Sequence, residues 1–290
     1  MDVTLLKVIV LAIVQGLAEL LPVSSSAHVV VAEKLMGLDP SSPPMTLLLV
    51  MLHTGTMLAV IVYFWREWRA LYFQSAAAFR SFLWLIAVAT FFTAVIGEGI
   101  VKLIERTVLR DVPHAQIEDL FSHLEFIAPA LAAAGILIVI AGILERRRPV
   151  AGHGVAPDLD TRRAGVIGAV QGLCLPFRGF SRSGATISAG MLLGVAKPRA
   201  EAFSFALAVV LTPPVVAREV MRLRDAAHAG GTDLGSVALL TIIGAVIALI
   251  AGLLALKWLS RWLESGRWYL FGIYCLAAAA AVTLLHRAGY

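Results

Sequence analysis

Six long apolar windows punctuate the chain, at residues 45–65, 81–101, 126–144, 200–217, 236–256 and 268–285, with short polar connections between them. Each approaches or exceeds the roughly 17–25 residues a helix needs to cross about 30 Å of hydrocarbon. The pattern predicts six full transmembrane helices. Two further apolar stretches break in the middle. Residues 4–21 give way at Pro22-Val23-Ser24-Ser25-Ser26 and resume over 29–36. Residues 164–175 give way at Pro176, break again through Arg178-Gly179-Phe180-Ser181-Arg182-Ser183-Gly184, and resume over 185–195. These pieces are short for a crossing, and their prolines and glycines open the backbone ladder. Non-helical backbone at membrane depth survives only where protein or a wet cavity covers it. Each broken stretch therefore reads as a re-entrant helix-turn-helix hairpin.

The two hairpins resemble each other. Val14-Gln15-Gly16-Leu17 reappears as Val170-Gln171-Gly172-Leu173, 156 residues later, and each copy runs on into proline and a serine-bearing turn. Three windows lie between the copies and three follow the second. An odd number of spans per half inverts the second copy relative to the first. The expectation is an all-α polytopic membrane protein, one membrane domain over 1–290, with an inverted-topology repeat (about 1–145 and about 160–290). Many membrane proteins build a central site this way.

Composition agrees: 59% of residues are hydrophobic and 15% charged, against about 45–50% and about 25% in soluble domains. The net charge of +5 does not point to nucleic acid, because the basic residues sit in short connections where they set topology. Residues 66–80 hold three arginines and one glutamate, 102–125 three basic and five acidic residues, and 145–163 five arginines and three acids. The basic connections, with 257–267, belong in the cytoplasm. The acidic one, and the balanced stretch at 221–233, belong outside. Hairpin one then enters from outside and hairpin two from the cytoplasm, with their tips meeting near the midplane. Cys174 and Cys275 read as small core residues, and residues 1–21 lack the basic start and cleavage site of a removable signal.

A polar cluster at membrane depth is costly and marks function by default. Hairpin one offers Gln15, Glu19, Ser24, Ser25, Ser26 and His28; hairpin two offers Arg178, Ser181, Arg182, Ser183 and Thr186. Gln15 and Glu19, four apart, share a helix face. Serines after each break can cap the second half-helix, whose positive N-terminus is a ready anion site. Arg182 adds a planar donor fork matched to phosphate oxygens. Glu19 with Gln15 suits a divalent cation, Ser25 or a water a nucleophile, and His28 or Glu19 a general acid or base. Taken singly, Ser24 to Ser26 also read as caps, His28 as a packed histidine and Arg182 as an arginine reaching the cytoplasmic surface. His53 and Glu98 read as structural. His114, His123, His153 and His228 lie in connections without ligand spacing. A transporter or flippase of a phosphorylated polyprenyl lipid is the competing reading, since broken helices suit alternating access.

The run from Gln15 to His28, Gln-Gly-Leu-Ala-Glu-Leu-Leu-Pro-Val-Ser-Ser-Ser-Ala-His, resembles the first signature of the bacterial undecaprenyl-diphosphate phosphatases of the bacitracin-resistance type. Ser181-Arg182-Ser183-Gly184-Ala185-Thr186-Ile187-Ser188 resembles the second. Similarity continues through Ala59-Val60, Tyr63-Phe64-Trp65-Arg66, Gly190 to Gly194 and Glu201 to Phe205. The resemblance implies a Mg2+- or Ca2+-dependent enzyme. It converts undecaprenyl diphosphate to the monophosphate carrier of cell-wall synthesis, at a site facing the periplasm from the bacterial inner membrane. By position, Glu19 and Gln15 match the acidic motif, Ser25 the proposed nucleophile and His28 the motif histidine. Arg182 matches the phosphate-binding arginine, with Ser181 and Thr186 as its polar neighbours. A homodimer is one assembly open to such a protein. Three departures stand out. The second tip, Pro176-Phe177-Arg178-Gly179-Phe180, is one residue longer than usual. Gln15 stands where a carboxylate is common. Cys275 follows Tyr274 where the family often has arginine. An aspartate ahead of the second hairpin matches either Asp158 or Asp160.

Overall fold

The computed structural model describes residues 4–40, 42–107, 123–147, 158–228, 234–263 and 267–289. Expectations that rest on His114, His153 or residues 150–157 lie outside this set. Among the described residues there are ten α-helices and no strand: α1 (Leu5–Glu19), α2 (Ser25–Leu35), α3 (Pro43–Tyr72), α4 (Ala76–Thr107), α5 (Leu124–Arg147), α6 (Thr161–Cys174), α7 (Arg182–Leu192), α8 (Lys197–His228), α9 (Leu234–Leu263) and α10 (Tyr269–Arg287). Six of them, α3, α4, α5, α8, α9 and α10, are long and apolar enough to cross a membrane.

Helix ends fall where the local chemistry stops them. Thr4 and Asp160 cap α1 and α6, accepting from the backbone N–H of Lys7 and Arg163, while Pro22 and Pro176 follow the C-termini, where a helix cannot continue. Asp158 instead pairs with Arg199 at 2.7 Å, whereas Asp160 both caps α6 and pairs with Arg163 within the same helix start. Several helices outrun their apolar windows. The stretch 66–80, expected as a connection, is helical except for Phe73–Ser75, and α8 continues through much of 221–233 to His228. Arginine and glutamate are good helix formers whose long stems reach water, so hydrocarbon ends before the helix does.

The packing is that of a protein solvated by lipid. Large apolar side chains such as Leu6, Phe91, Trp84, Leu254 and Leu284 face outward, whereas small residues bring backbones together. A Cβ at Gly55 of α3 would meet the Ala245 carbonyl of α9 at 2.0 Å, and one at Gly168 of α6 the Ala89 carbonyl of α4 at 2.1 Å. The short helices are swapped between halves: α1 packs on α9, and α6 on α4. Gly16 of α1 seats against Ala251 and Gly252, while Gly172 of α6 seats against Thr93 and Gly97. The twin Gln-Gly-Leu motifs thus do the same packing job on opposite halves. α3 also packs on α8, and α5 on α10, which closes the bundle around the breaks between α1 and α2 and between α6 and α7.

Candidate active site

The break after α1 makes a turn, and Ser24 caps α2 with its hydroxyl accepting from the Ala27 N–H at 3.4 Å. The break after α6 makes a second turn, and Ser181 caps α7 by accepting from the Gly184 N–H at 3.2 Å. Gly179, at φ +103°, sits so close to Ile127 of α5 that a Cβ would lie 2.5 Å from its carbonyl oxygen. Only glycine fits both the backbone angle and the space. The two turns meet. A Cβ on Gly184 would stand 3.1 Å from the Pro22 carbonyl, and Arg182, the first residue of α7, reaches across to Glu19, the last of α1.

Glu19 is the hub. Its Oε1 accepts from Arg182 Nη2 at 2.8 Å. Its Oε2 accepts from Gln15 Nε2 at 2.8 Å and from the Ser25 hydroxyl, with His53 Nδ1 at 3.2 Å. Glu19 is only 6% exposed and Gln15 1%. Burying a carboxylate at this depth requires such partners, because isolated charge in low dielectric is far costlier than charge in water. Two polar atoms at the hub remain without a hydrogen-bond partner, the acceptor Gln15 Oε1 and the donor Arg182 Nη1. Each is buried, and each belongs to a side chain already fixed by Glu19. Both half-helices also begin here, and the first N–H groups of a helix have no partner within it.

A cavity of about 340 Å³ opens over the hub. Gln15, Glu19, Ser24, Ser25, Ser26, Arg178, Ser181, Arg182 and Ser183 all line it, so most of the residues expected from sequence come together. Ser26 additionally approaches the Ser24 hydroxyl at 3.3 Å, and Arg178 interacts electrostatically with buried Glu33 of α2. Two expected residues do not join. Thr186 is fully buried, and its hydroxyl bonds Ser204 of α8 at 2.6 Å and the Arg182 carbonyl. One helical turn beyond Arg182, it braces α7 against α8. The His28 ring turns away from the hub towards Tyr274 of α10, with Nε2 2.7 Å from the hydroxyl.

His53, read from sequence as structural, is instead in the site. It lines the cavity and sits 3.4 Å from Gln15 Nε2 as well as beside Glu19. An imidazole inside an apolar window was the available signal. Glu98 is exposed and pairs with Lys102 one turn away, and His123 is exposed beside Glu125. The cavity walls come from the first turns of α3, at Thr46 and Val50, and from α8 at Thr212, Val215 and Arg218.

Fold and site together define a class: an all-helical, multi-pass membrane protein with a buried polar centre held among its helices. The family model described as bacitracin resistance protein BacA matches residues 8–281, and the chain belongs to that family. Similar curated proteins carry a common name. Undecaprenyl-diphosphatase 2 of Acinetobacter baylyi is 56% identical over 285 residues, covering 97% of this chain and 98% of that protein. The undecaprenyl-diphosphatase of Desulfosudis oleivorans is 36% identical over 274 residues, covering 92% and 93%. That of Rhodopirellula baltica is 30% identical over 282 residues, covering 97% and 98%.

Proposed function

We propose that this protein hydrolyses undecaprenyl diphosphate to undecaprenyl phosphate and inorganic phosphate, recycling the lipid carrier of cell-wall synthesis. The observation that carries the reading is the Glu19–Arg182 contact across two broken helices, with a buried spare donor on Arg182. A terminal phosphate placed in the cavity meets that Nη1 and the N-terminal N–H groups of α2 and α7, all positive. Phosphoryl transfer is catalysed mainly by such positioning and charge stabilisation. Ser25 donates its hydroxyl hydrogen to Glu19, so the carboxylate is placed to take that proton as the oxygen attacks phosphorus. The new O–P bond forms as the anhydride P–O bond breaks and undecaprenyl phosphate leaves. A water then attacks the phosphoserine, its Ser25 O–P bond breaks as Glu19 returns the proton to the serine oxygen, and inorganic phosphate is released. Water standing in the same place is activated by the same carboxylate.

A divalent cation is part of the same proposal, held by one carboxylate and one amide oxygen together with the substrate's phosphate oxygens. Hard cations take one or two carboxylates, amide oxygens and substrate phosphate oxygens, and Gln15 Oε1 is a buried acceptor without a partner beside Glu19. Glu19 and Gln15 would hold the ion, Mg2+ or Ca2+. Bound there, it would neutralise charge on the diphosphate.

The pairs α1–α2 and α6–α7 act as re-entrant hairpins of an inverted repeat. Their exchanged packing partners, α9 and α4, and the equivalent seats of Gly16 and Gly172 support this reading. The cavity opens between the start of α3 and the later part of α8, the side that the basic connections assign to the periplasm. The protein therefore acts in the bacterial inner membrane from its outer face. The test is phosphate release from undecaprenyl diphosphate by purified protein in detergent, with chelator and then Mg2+ or Ca2+ added back. Release that stops and returns with the metal is expected. Lipid redistribution in vesicles without any release would instead favour a flippase.

A further inference from the structure

His28 is the motif residue that the hub leaves unused. Its ring lies edge to edge with that of Tyr274 of α10, with centroids 5.7 Å apart and planes within 9°. Both nitrogens are engaged: Nδ1 lies 2.8 Å from the Ser24 carbonyl oxygen, and Nε2 2.7 Å from the Tyr274 hydroxyl. A carbonyl oxygen only accepts. Nδ1 therefore carries the hydrogen, and Nε2 is taken up by the Tyr274 hydroxyl. Neither nitrogen is left to exchange a proton with a phosphate in the cavity.

The carbonyl that His28 holds belongs to an unusual residue. Ser24 has φ +67° and ψ +85°, and it has the only positive φ on a non-glycine residue among those described. Such a conformation persists only when its surroundings hold it. The next residue is Ser25, whose hydroxyl donates to Glu19. α10 grips the same turn a second time, through Cys275, whose Sγ–H donates to the Pro22 carbonyl at 3.5 Å. The last helix thus backs the first turn at two points, and neither Tyr274 nor Cys275 lines the cavity over the hub.

We propose that Tyr274, acting through His28, is a positioning residue: the pair clamps the Ser24 peptide in its left-handed turn and so aims the Ser25 hydroxyl at Glu19 and the substrate. The catalytic consequence rests on the phosphatase reading; the clamp itself does not. Tyr274→Phe keeps the ring and loses the hydroxyl. His28→Asn keeps an N–H that can reach the Ser24 carbonyl, and His28→Ala keeps nothing.

The experiment measures kcat, KM and the pH dependence of kcat for the three variants, together with backbone hydrogen exchange over residues 22–28. Misplacing a reacting group by about 1 Å costs about a hundredfold. On that scale Tyr274→Phe lowers kcat about tenfold with KM within about twofold, and His28→Ala falls about a hundredfold. His28→Asn recovers to within about tenfold of the parent and keeps the parent pH profile. Exchange over the turn quickens in Tyr274→Phe and His28→Ala. His28→Asn as inactive as His28→Ala, with one limb of the pH profile gone, overturns the proposal in favour of proton transfer by the imidazole. Unchanged kcat and unchanged exchange in Tyr274→Phe overturn it too. Should the parent protein release no phosphate, the enzyme reading fails, and hydrogen exchange alone decides the clamp, with faster exchange supporting it and unchanged exchange overturning it.

Discussion

Four side chains converge on Glu19, and they differ in what their removal does. Arg182 is paired in a largely buried setting, so deleting the carboxylate strands a cation; breaking a buried pair this way costs about 3–5 kcal/mol. Glu19→Gln keeps volume and hydrogen bonding while losing the charge proposed to accept the Ser25 proton. It is expected to lower kcat for phosphate release by about 10²–10³, the scale of losing one oriented catalytic group, with the folded protein still recoverable by size-exclusion chromatography. Arg182→Lys keeps the charge but not the fork, and a rise in KM alongside the fall in kcat is expected from steady-state kinetics. Gln15 and Glu19 were legible because ionisable or amide side chains inside an apolar stretch need a reason to be there, and Arg182 because it stands in a break between two apolar pieces. His53 carried the same signal but sits 38 residues from Gln15 on a separate helix, and only the packing of α3 beside α1 brings it in. The direction of the His28 ring was not legible at all, since its partner lies 246 residues away.

At the scale of elements, the close helix contacts make a contrasting pair of predictions. Gly168→Ala places a methyl group 2.1 Å from the Ala89 carbonyl of α4. That overlap forces α6 and α4 apart, at about 1–3 kcal/mol, and the thermal midpoint in detergent falls. Gly99, also on α4, has nothing within 4 Å of a Cβ. Gly99→Ala should leave the midpoint unchanged or raise it, because alanine favours a helix interior by about 1 kcal/mol over glycine. Equal behaviour of the two would mean that α4 and α6 do not approach as described. The six spanning windows and both breaks were readable from apolar run length and from Pro22 and Pro176. The helix ends were not, because Arg66, Glu67 and Arg69 extend α3 into the interface with residues that suit a helix as well as a connection.

Over the whole molecule, the swapped packing of α1 on α9 and α6 on α4 brings two distant turns under one cavity, and the charge of the connections decides which way it faces. A cysteine at Val215, which lines the cavity on α8, should react with a membrane-impermeant maleimide in right-side-out vesicles. One at Arg162, exposed at the start of α6, should react only after permeabilisation. Cys174 and Cys275 are buried and should add little background. Reversed labelling would turn the site to the cytoplasm. The proposed function has Glu19 and Arg182, one at each break, working on the same phosphate. The most direct measurement is kcat/KM for phosphate release from undecaprenyl diphosphate by Glu19→Gln, Arg182→Ala and the double variant. Each single change should lose about a hundredfold or more, and the double should be little worse than the poorer single, as for residues that act as a unit. A single variant with near-parental activity, or two losses that simply multiply, would show that the two side chains do not share one head group.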